Sequence, residues 1–90
     1  MYYVYILLCK GGNLYTGYTD NLKKRFQDHR DGKGGKYTRS HMPDKIVYKE
    51  KLSTKSKALK REIEIKNWSR KEKIEKLKLK ITINSNLKLL

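Results

Sequence analysis

The residues that decide the fold are Tyr2-Tyr3-Val4-Tyr5-Ile6-Leu7-Leu8-Cys9, then Lys10-Gly11-Gly12-Asn13, then Leu14-Tyr15-Thr16-Gly17-Tyr18. Aromatic and branched side chains suit strands, whereas glycine and asparagine suit the tight turn between two strands. The stretch therefore predicts a β-hairpin. A three-residue connection over 11–13 would pair Leu14 with Lys10, Tyr15 with Cys9 and Gly17 with Leu7.

The register of this hairpin determines which side chains share a face. With the three-residue connection, Tyr3, Tyr5, Tyr15 and Gly17 lie on one face of the sheet. A two-residue turn would place Tyr5 and Tyr15 on opposite faces, because side chains alternate along a strand. We predict the shared face, which brings two phenols together.

Downstream of the hairpin the sequence predicts a helix that begins at a cap residue, Thr19 or Asp20, and ends near Arg30. Gly32-Lys33-Gly34-Gly35 then stops it. One stripe of this helix carries residues at positions i, i+3, i+4 and i+7: Leu22, Arg25, Phe26 and His29. Residues 32–45 are predicted to be a glycine-rich, basic loop, suited either to nucleic acid or simply to solvent.

The second half begins with a predicted strand, Ile46–Leu52, followed by a helix that Ser53-Thr54 opens and that runs to about Trp68. At 100° per residue, Glu62 lies within the apolar arc of that helix, whereas Glu64 lies outside it. A carboxylate facing the core is unfavourable unless it is paired or binds a cation. A metal ligand and a plain salt bridge with Lys or Arg are both open for Glu62.

The C-terminal residues are rich in lysine. Residues 76–83 alternate Lys or Thr with Leu and Ile at period two, which is typical of a strand, although 70–75 could extend a helix. Residues 84–90 are predicted to be a poorly ordered tail.

Composition limits the class of protein. Ninety residues suffice for one domain, and 23 Lys and Arg against 9 Asp and Glu give a formal charge of +14. Such an excess indicates a polyanionic partner, most simply nucleic acid. The single cysteine excludes an intramolecular disulfide. No export signal or membrane anchor is visible, so we expect a cytoplasmic protein without a membrane partner.

The residues that could carry chemistry are few. One Cys and two His offer no zinc cluster, and the glycine-rich loop lacks the Lys-Ser/Thr end of a phosphate-binding P-loop. Phenols, an arginine, a histidine and one core-facing glutamate remain, and they suit phosphodiester hydrolysis. Hydrolysis of this kind needs a metal ion held by a carboxylate, an arginine that clamps the phosphate and a phenol that acts as the base. The sequence offers a candidate for each role. A phenol with a pKa near ~10 must become more acidic to act as a base, and we expect Arg25, His29 and the metal to lower that pKa.

These residues resemble the GIY-YIG nuclease domain. The resemblance rests on Tyr3-Val4-Tyr5, Tyr15-Thr16-Gly17, Arg25 and His29 on a helix, and Glu62 on a later helix. The chain is most similar to the small single-domain YhbQ-like branch and also resembles the N-terminal nuclease domain of the UvrC repair protein. We expect a nuclease-like domain over 1–76 and a basic, partly disordered extension over 77–90.

The resemblance implies an α/β fold of the α+β type, with a small antiparallel three-stranded sheet flanked by helices. It also implies a one-metal endonuclease that hydrolyses DNA with Mg²⁺ or Mn²⁺, in repair or recombination, with a protein partner supplying specificity. The implied catalytic residues are Tyr5, Tyr15, Arg25, His29 and Glu62, with Glu62 as the metal ligand. We further expect contacts with DNA, branched or damaged DNA included, from Lys24, Lys33, Lys36, Tyr37, Arg39 and Lys66.

Two positions depart from the family pattern. Tyr3 replaces the glycine of the first motif, at the start of a strand. Ile74 stands where many relatives carry an asparagine that supports the site. The alternative to a nuclease is therefore a non-catalytic nucleic-acid-binding module on the same fold. Docking on anionic membranes is disfavoured, because no helix has a strongly amphipathic Trp/Phe/Leu face.

Overall fold

The computed structural model describes residues 1–80. In chain order its elements are β1 (Tyr2–Cys9), β2 (Leu14–Thr19), α1 (Leu22–Arg30), α2 (Lys36–Ser40), β3 (Pro43–Leu52), α3 (Lys55–Lys66) and α4 (Arg70–Lys76). The strands form one antiparallel sheet in the order β2-β1-β3. The predicted fold class, a three-stranded antiparallel sheet flanked by helices, is confirmed.

The sheet separates two apolar layers because side chains alternate along β1. Val4 and Ile6 face one side, where they pack with Ala58 and Ile65 of α3 and with Leu79. Tyr5, Leu7 and Cys9 face the other side, where Leu22 and Phe26 of α1 pack against them. β1 is thus buried on both faces and fixes the positions of both helical layers.

The hairpin has the predicted face but not the predicted pairs. Tyr5 pairs with Gly17 and Leu7 with Tyr15, a shift of two residues from the expected register. The turn lies over 10–12 instead of 11–13, since the Cys9 N–H donates to the Asn13 carbonyl at 2.8 Å. Because the shift is even, the prediction that Tyr3, Tyr5, Tyr15 and Gly17 share a face is confirmed.

Three boundaries differ from the expectations. Asn21, not Thr19 or Asp20, caps α1 by accepting a hydrogen bond from the Lys24 N–H at 3.1 Å. The predicted loop over 32–45 contains the short helix α2, and β3 begins at Pro43, which pairs with Cys9. The Asn21 cap is a local contact, whereas the early start of β3 depends on its pairing with β1, which local sequence patterns do not encode.

The C-terminal part is helical where the sequence left two options. The Ser69 and Glu72 side chains form a capping box that begins α4, and residues 76–80 form no strand. Arg70 attaches α4 to the hairpin by donating two hydrogen bonds to the Gly12 carbonyl, at 2.9 and 3.2 Å. The rest of the predicted alternation and the predicted tail over 84–90 lie outside the described residues.

Over 1–80, no helix has the length and apolar character needed to cross a membrane.

Candidate active site

Two tyrosines and a histidine converge on the α1 side of the sheet. The Tyr5 and Tyr15 rings come from neighbouring strands, with centroids 6.4 Å apart. His29, in the last turn of α1, packs edge-on against both rings, with centroids 5.8 Å from Tyr5 and 5.1 Å from Tyr15. Residues separated by more than twenty positions in sequence thus form one cluster.

A chain of hydrogen bonds passes through this cluster. The Tyr5 hydroxyl is 2.8 Å from Nε2 of His29, and Nδ1 of His29 is 2.8 Å from the Thr38 hydroxyl. All three side chains are buried. We call this chain the Tyr5–His29–Thr38 relay; it connects β1, α1 and α2.

Gly17 and Gly34 have no side chains, and the relay occupies the space that a side chain at either position would fill. A Cβ atom at Gly34 would lie 2.1 Å from Nδ1 of His29, and one at Gly17 would lie 2.6 Å from the Tyr5 hydroxyl. Both distances are far below van der Waals contact, so any side chain at either position would displace the relay. The Tyr15-Thr16-Gly17 motif therefore has glycine at position 17 because no side chain fits there.

Burial holds both titratable members of the relay uncharged. Burial, and next the neighbouring Tyr15, raise the pKa of Tyr5 to about 12, although Arg25 acts in the opposite direction. Burial and then Arg25 lower the pKa of His29 to about 4. Arg25 therefore acts on the pKa of Tyr5 in the expected direction, but desolvation outweighs its effect, and a neutral His29 adds no positive charge.

Arg25 lies beside the cluster on α1. It is half-buried, and Nη2 donates to the Gly34 carbonyl at 3.3 Å, which helps hold the turn before α2. Its effects on the pKa values of Tyr5 and His29 place its charge close to both groups. The remaining guanidinium donors can face a substrate anion.

Glu62 lies on α3, and its side chain is only 13% exposed, as expected for a position within the apolar arc. Its carboxylate forms an ion pair with Lys66 at 3.5 Å, which is the salt-bridge alternative left open by the sequence. Its charge also contributes, as the smallest cause, to the raised pKa of Tyr5. Glu62 therefore lies within electrostatic range of the relay but makes no hydrogen bond with it.

The predicted DNA-contacting residues differ in their exposure and in their ion pairs. Lys24 is exposed and pairs with Asp28 at 3.2 Å, and Lys66 is half-exposed and pairs with Glu62. Lys33, Lys36 and Arg39 are exposed around α2. Tyr37 stacks with Tyr15 and with His41, with ring centroids 5.7 and 4.5 Å apart, and remains 40% exposed.

The sequence analysis missed two residues of this region. Thr38 was treated only as part of a loop, and its role depends on the fold of α2. Lys73 of α4 donates to the Thr16 hydroxyl at 3.2 Å, and burial, followed by Lys66, lowers its pKa. Ile74, the departure from the family pattern, packs against the core on the α3 side.

Comparisons with known proteins show which family and which fold the chain is similar to. Residues 1–77 match the GIY-YIG catalytic domain. A UPF0213 protein of Staphylococcus saprophyticus is 50% identical over 74 residues, which cover 82% of this chain and 90% of that protein. A UPF0213 protein of Bacillus licheniformis is 50% identical over 72 residues, covering 80% of this chain and 74% of that protein. The solution NMR structure of the UPF0213 protein BH0048 from Bacillus halodurans is 42% identical, with a TM-score of 0.56, and the match covers 87% of this chain and 84% of that one.

The neutral state of His29 predicts a pH-dependent stability. Its pKa is about 4 in the folded protein and 6.5 ordinarily, so between these values the unfolded chain binds more protons. The contribution of His29 to stability is thus complete above about pH 6.5 and decreases as the pH falls toward 4, by at most ~1.4 kcal/mol per pH unit. Urea unfolding at several pH values should show this slope.

The slope should be smaller in His29→Gln and unchanged in His41→Gln, which removes a histidine that is not buried. Equal slopes in wild type and His29→Gln would contradict a neutral, buried His29.

Proposed function

Because the chain belongs to the GIY-YIG catalytic domain family, we propose that it is a metal-dependent endonuclease that hydrolyses phosphodiester bonds in DNA. The observation that carries this proposal is the convergence of Tyr5, Tyr15 and His29, with Arg25 beside them, at one place on the sheet. Such groups suit proton transfer and the binding of an anion.

The charge of the molecule supports DNA as the substrate. The formal charge is +14, and exposed cations stand on α1, α2 and the turn between them. When such cations bind the phosphates of DNA, they displace the counterions condensed on it. The release of these counterions makes binding favourable at moderate salt. In this proposal Arg25 clamps the scissile phosphate, since guanidinium groups bind phosphate oxygens through paired hydrogen bonds.

The phenols supply the base. Either Tyr15 or Tyr5 accepts the proton of the attacking water, and His29 orients Tyr5. In the free protein Tyr5 is protonated because its pKa is about 12. Its activation therefore requires positive charge or a bound substrate that organises the site.

The carboxylate of Glu62 has the chemistry to bind a hard divalent cation such as Mg²⁺ or Mn²⁺. Residues 1–80 contain no group of three Asp, Glu, His or Cys side chains that could hold a metal. Mg²⁺, however, commonly binds through one carboxylate together with water and substrate phosphates. Glu62 would be that carboxylate, on release from Lys66; when bound, the ion would offset charge on the leaving oxygen.

A second candidate is a non-catalytic DNA-binding module. The ion pair of Glu62 with Lys66 and the packing of Ile74 in the core favour it, because neither prepares the site for a metal. A role in repair or recombination, a preference for branched or damaged DNA, a protein partner and a cytoplasmic location remain predictions from the family resemblance.

Cleavage of supercoiled plasmid and of branched or flapped DNA distinguishes the two candidates. With Mg²⁺ or Mn²⁺, Glu62→Gln and Tyr15→Phe should lower the nicking rate by ~10² or more, because each removes a group that acts only in the reaction. DNA affinity should remain. The matched control is Glu64→Gln, on the same helix, whose carboxylate pairs with Arg61 at 2.9 Å. Equal rates in wild type and both variants, with retained binding, would establish the binding module instead.

Binding itself should depend steeply on salt. If phosphate contacts dominate, log affinity falls linearly with log salt concentration, and each lost contact reduces the slope by ~0.9. The substitutions Lys33→Gln and Lys36→Gln should therefore flatten the slope in a fluorescence-anisotropy titration. Lys51→Gln, an exposed cation on β3 outside the predicted DNA-contacting set, serves as the control. A slope near zero in wild type would contradict a phosphate-binding surface.

A further inference from the structure

Lys73 of α4 is a partly buried cation to which the proposed reaction gives no role. Its Nζ donates to the Thr16 hydroxyl at 3.2 Å, and no Asp or Glu of residues 1–80 forms an ion pair with it. An ammonium group carries three N–H donors, so within residues 1–80 two of them have no acceptor. A partly buried cation without a counterion is unfavourable. Binding of an anion at this place would therefore be favourable.

A second lysine adds to the positive charge beside Lys73. Burial, and next Lys66, lower the pKa of Lys73, so the two ammonium groups are close enough to repel each other. The Glu62 carboxylate pairs with Lys66 at 3.5 Å and forms no ion pair with Lys73. Two cations and one carboxylate leave an excess of positive charge. A phosphate group would offset that excess.

Lys73 and Arg25 lie on opposite faces of β2, which is an outer strand of the sheet. Thr16 pairs with Ile6, whose side chain packs against α3, so the Thr16 hydroxyl holds Lys73 on the α3 face. Arg25 acts on Tyr5, which belongs to the α1 face. A cation is thus placed on each side of the strand that carries the second motif.

The attachment of α4 to the hairpin does not account for a charged residue at position 73. Arg70, one turn earlier on the same helix, already donates two hydrogen bonds to the Gly12 carbonyl. A neutral amide side chain could also donate to the Thr16 hydroxyl without bringing a charge into a partly buried place. The charge of Lys73 therefore indicates a ligand.

We propose that Lys73 binds a backbone phosphate of DNA on the α3 side of β2, and that this phosphate is different from the one that Arg25 binds. The choice of DNA as the ligand rests on the proposed function. Thr16 holds the ammonium group in place, and its two remaining N–H donors bind the phosphate oxygens. Lys66 adds positive charge next to this phosphate.

The ammonium signals of lysine side chains in ¹H–¹⁵N spectra of the full chain test the contact directly. Titration with a short phosphodiester oligodeoxynucleotide should shift the Lys73 signal, whereas the same oligonucleotide with uncharged methylphosphonate linkages should not. Lys73→Arg assigns the signal by removing it while it keeps the charge. A Lys73 signal that stays in place while backbone amide signals report binding would overturn the proposal, as would equal shifts with both oligonucleotides.

Binding of DNA by charge-neutral variants tests the size of the contact. In a fluorescence-anisotropy titration, Lys73→Gln should weaken affinity about tenfold and reduce the salt slope by ~0.9, because one phosphate contact is lost. The matched control, Lys71→Gln, removes the same charge from an exposed position of α4 and should change both far less. Equal effects of the two variants would overturn a specific phosphate site. If Lys73→Gln does not fold, the titration of the wild type still decides.

The double variant Arg25→Gln/Lys73→Gln tests whether the two cations bind different phosphates. Two separate contacts should together reduce the salt slope by ~1.8. A reduction no larger than that of Arg25→Gln alone would contradict separate phosphates.

The cleavage assay separates this proposal from the proposed function. Lys73→Gln should raise KM with little change in kcat, because the contact forms before the reaction and persists through it. Absence of cleavage in the wild type would contradict the proposed function and leave the binding results standing. Cleavage by the wild type, together with unchanged DNA affinity in Lys73→Gln, would overturn only the role of Lys73.

Discussion

The two hydrogen bonds of 2.8 Å that His29 forms with Tyr5 and Thr38 are the constraint on which the rest of the site depends. Their three side chains lie in the interior, where an unpaired polar group is unfavourable, so all three must be satisfied together. The bonds fix α1 and α2 relative to β1. Glycine is required at positions 17 and 34 because no side chain fits beside the relay. One buried polar chain thus accounts for a motif glycine, for a turn and for the short helix between α1 and β3.

The same burial keeps the titratable members of the relay uncharged in the free protein. The pKa of Tyr5 is raised to about 12 and that of His29 is lowered to about 4, so both are neutral near pH 7. Glu62 is held by Lys66, and Arg25 by the Gly34 carbonyl. In our proposal the polyanionic substrate and a divalent cation change this balance, because they compete for the paired cations and bring positive charge near the phenol. Chemistry would then begin only on bound DNA, which suits a hydrolase of a phosphodiester that the cell must preserve.

Much of the fold could be predicted from periodicity and turn residues. Alternation in β1 and the even offset across the hairpin were enough to place Tyr5 and Tyr15 on one face, even though the paired residues differ by two positions. The pairs could not be predicted, since Gly11 and Gly12 both accept a positive φ and the turn can centre on either. Thr38 and Lys73 could not be found from local patterns, because each acts through contacts with residues distant in sequence. The protonation states were also beyond the sequence, since they depend on desolvation.

The central claim is that filling the site with DNA and a divalent cation shifts the buried Tyr5 phenol toward its phenolate form. The most direct measurement is a pH titration of the ¹³Cζ signal of Tyr5, first in the free protein and then with Ca²⁺ and an uncleavable phosphorothioate DNA. In the free protein the pKa should be about 12, beyond that of an ordinary tyrosine. With ligands bound, the account predicts a pKa below the free-protein value, because bound cations favour the phenolate. An unchanged Tyr5 signal on a protein that has bound the DNA would contradict it and leave the relay a structural feature of a binding module.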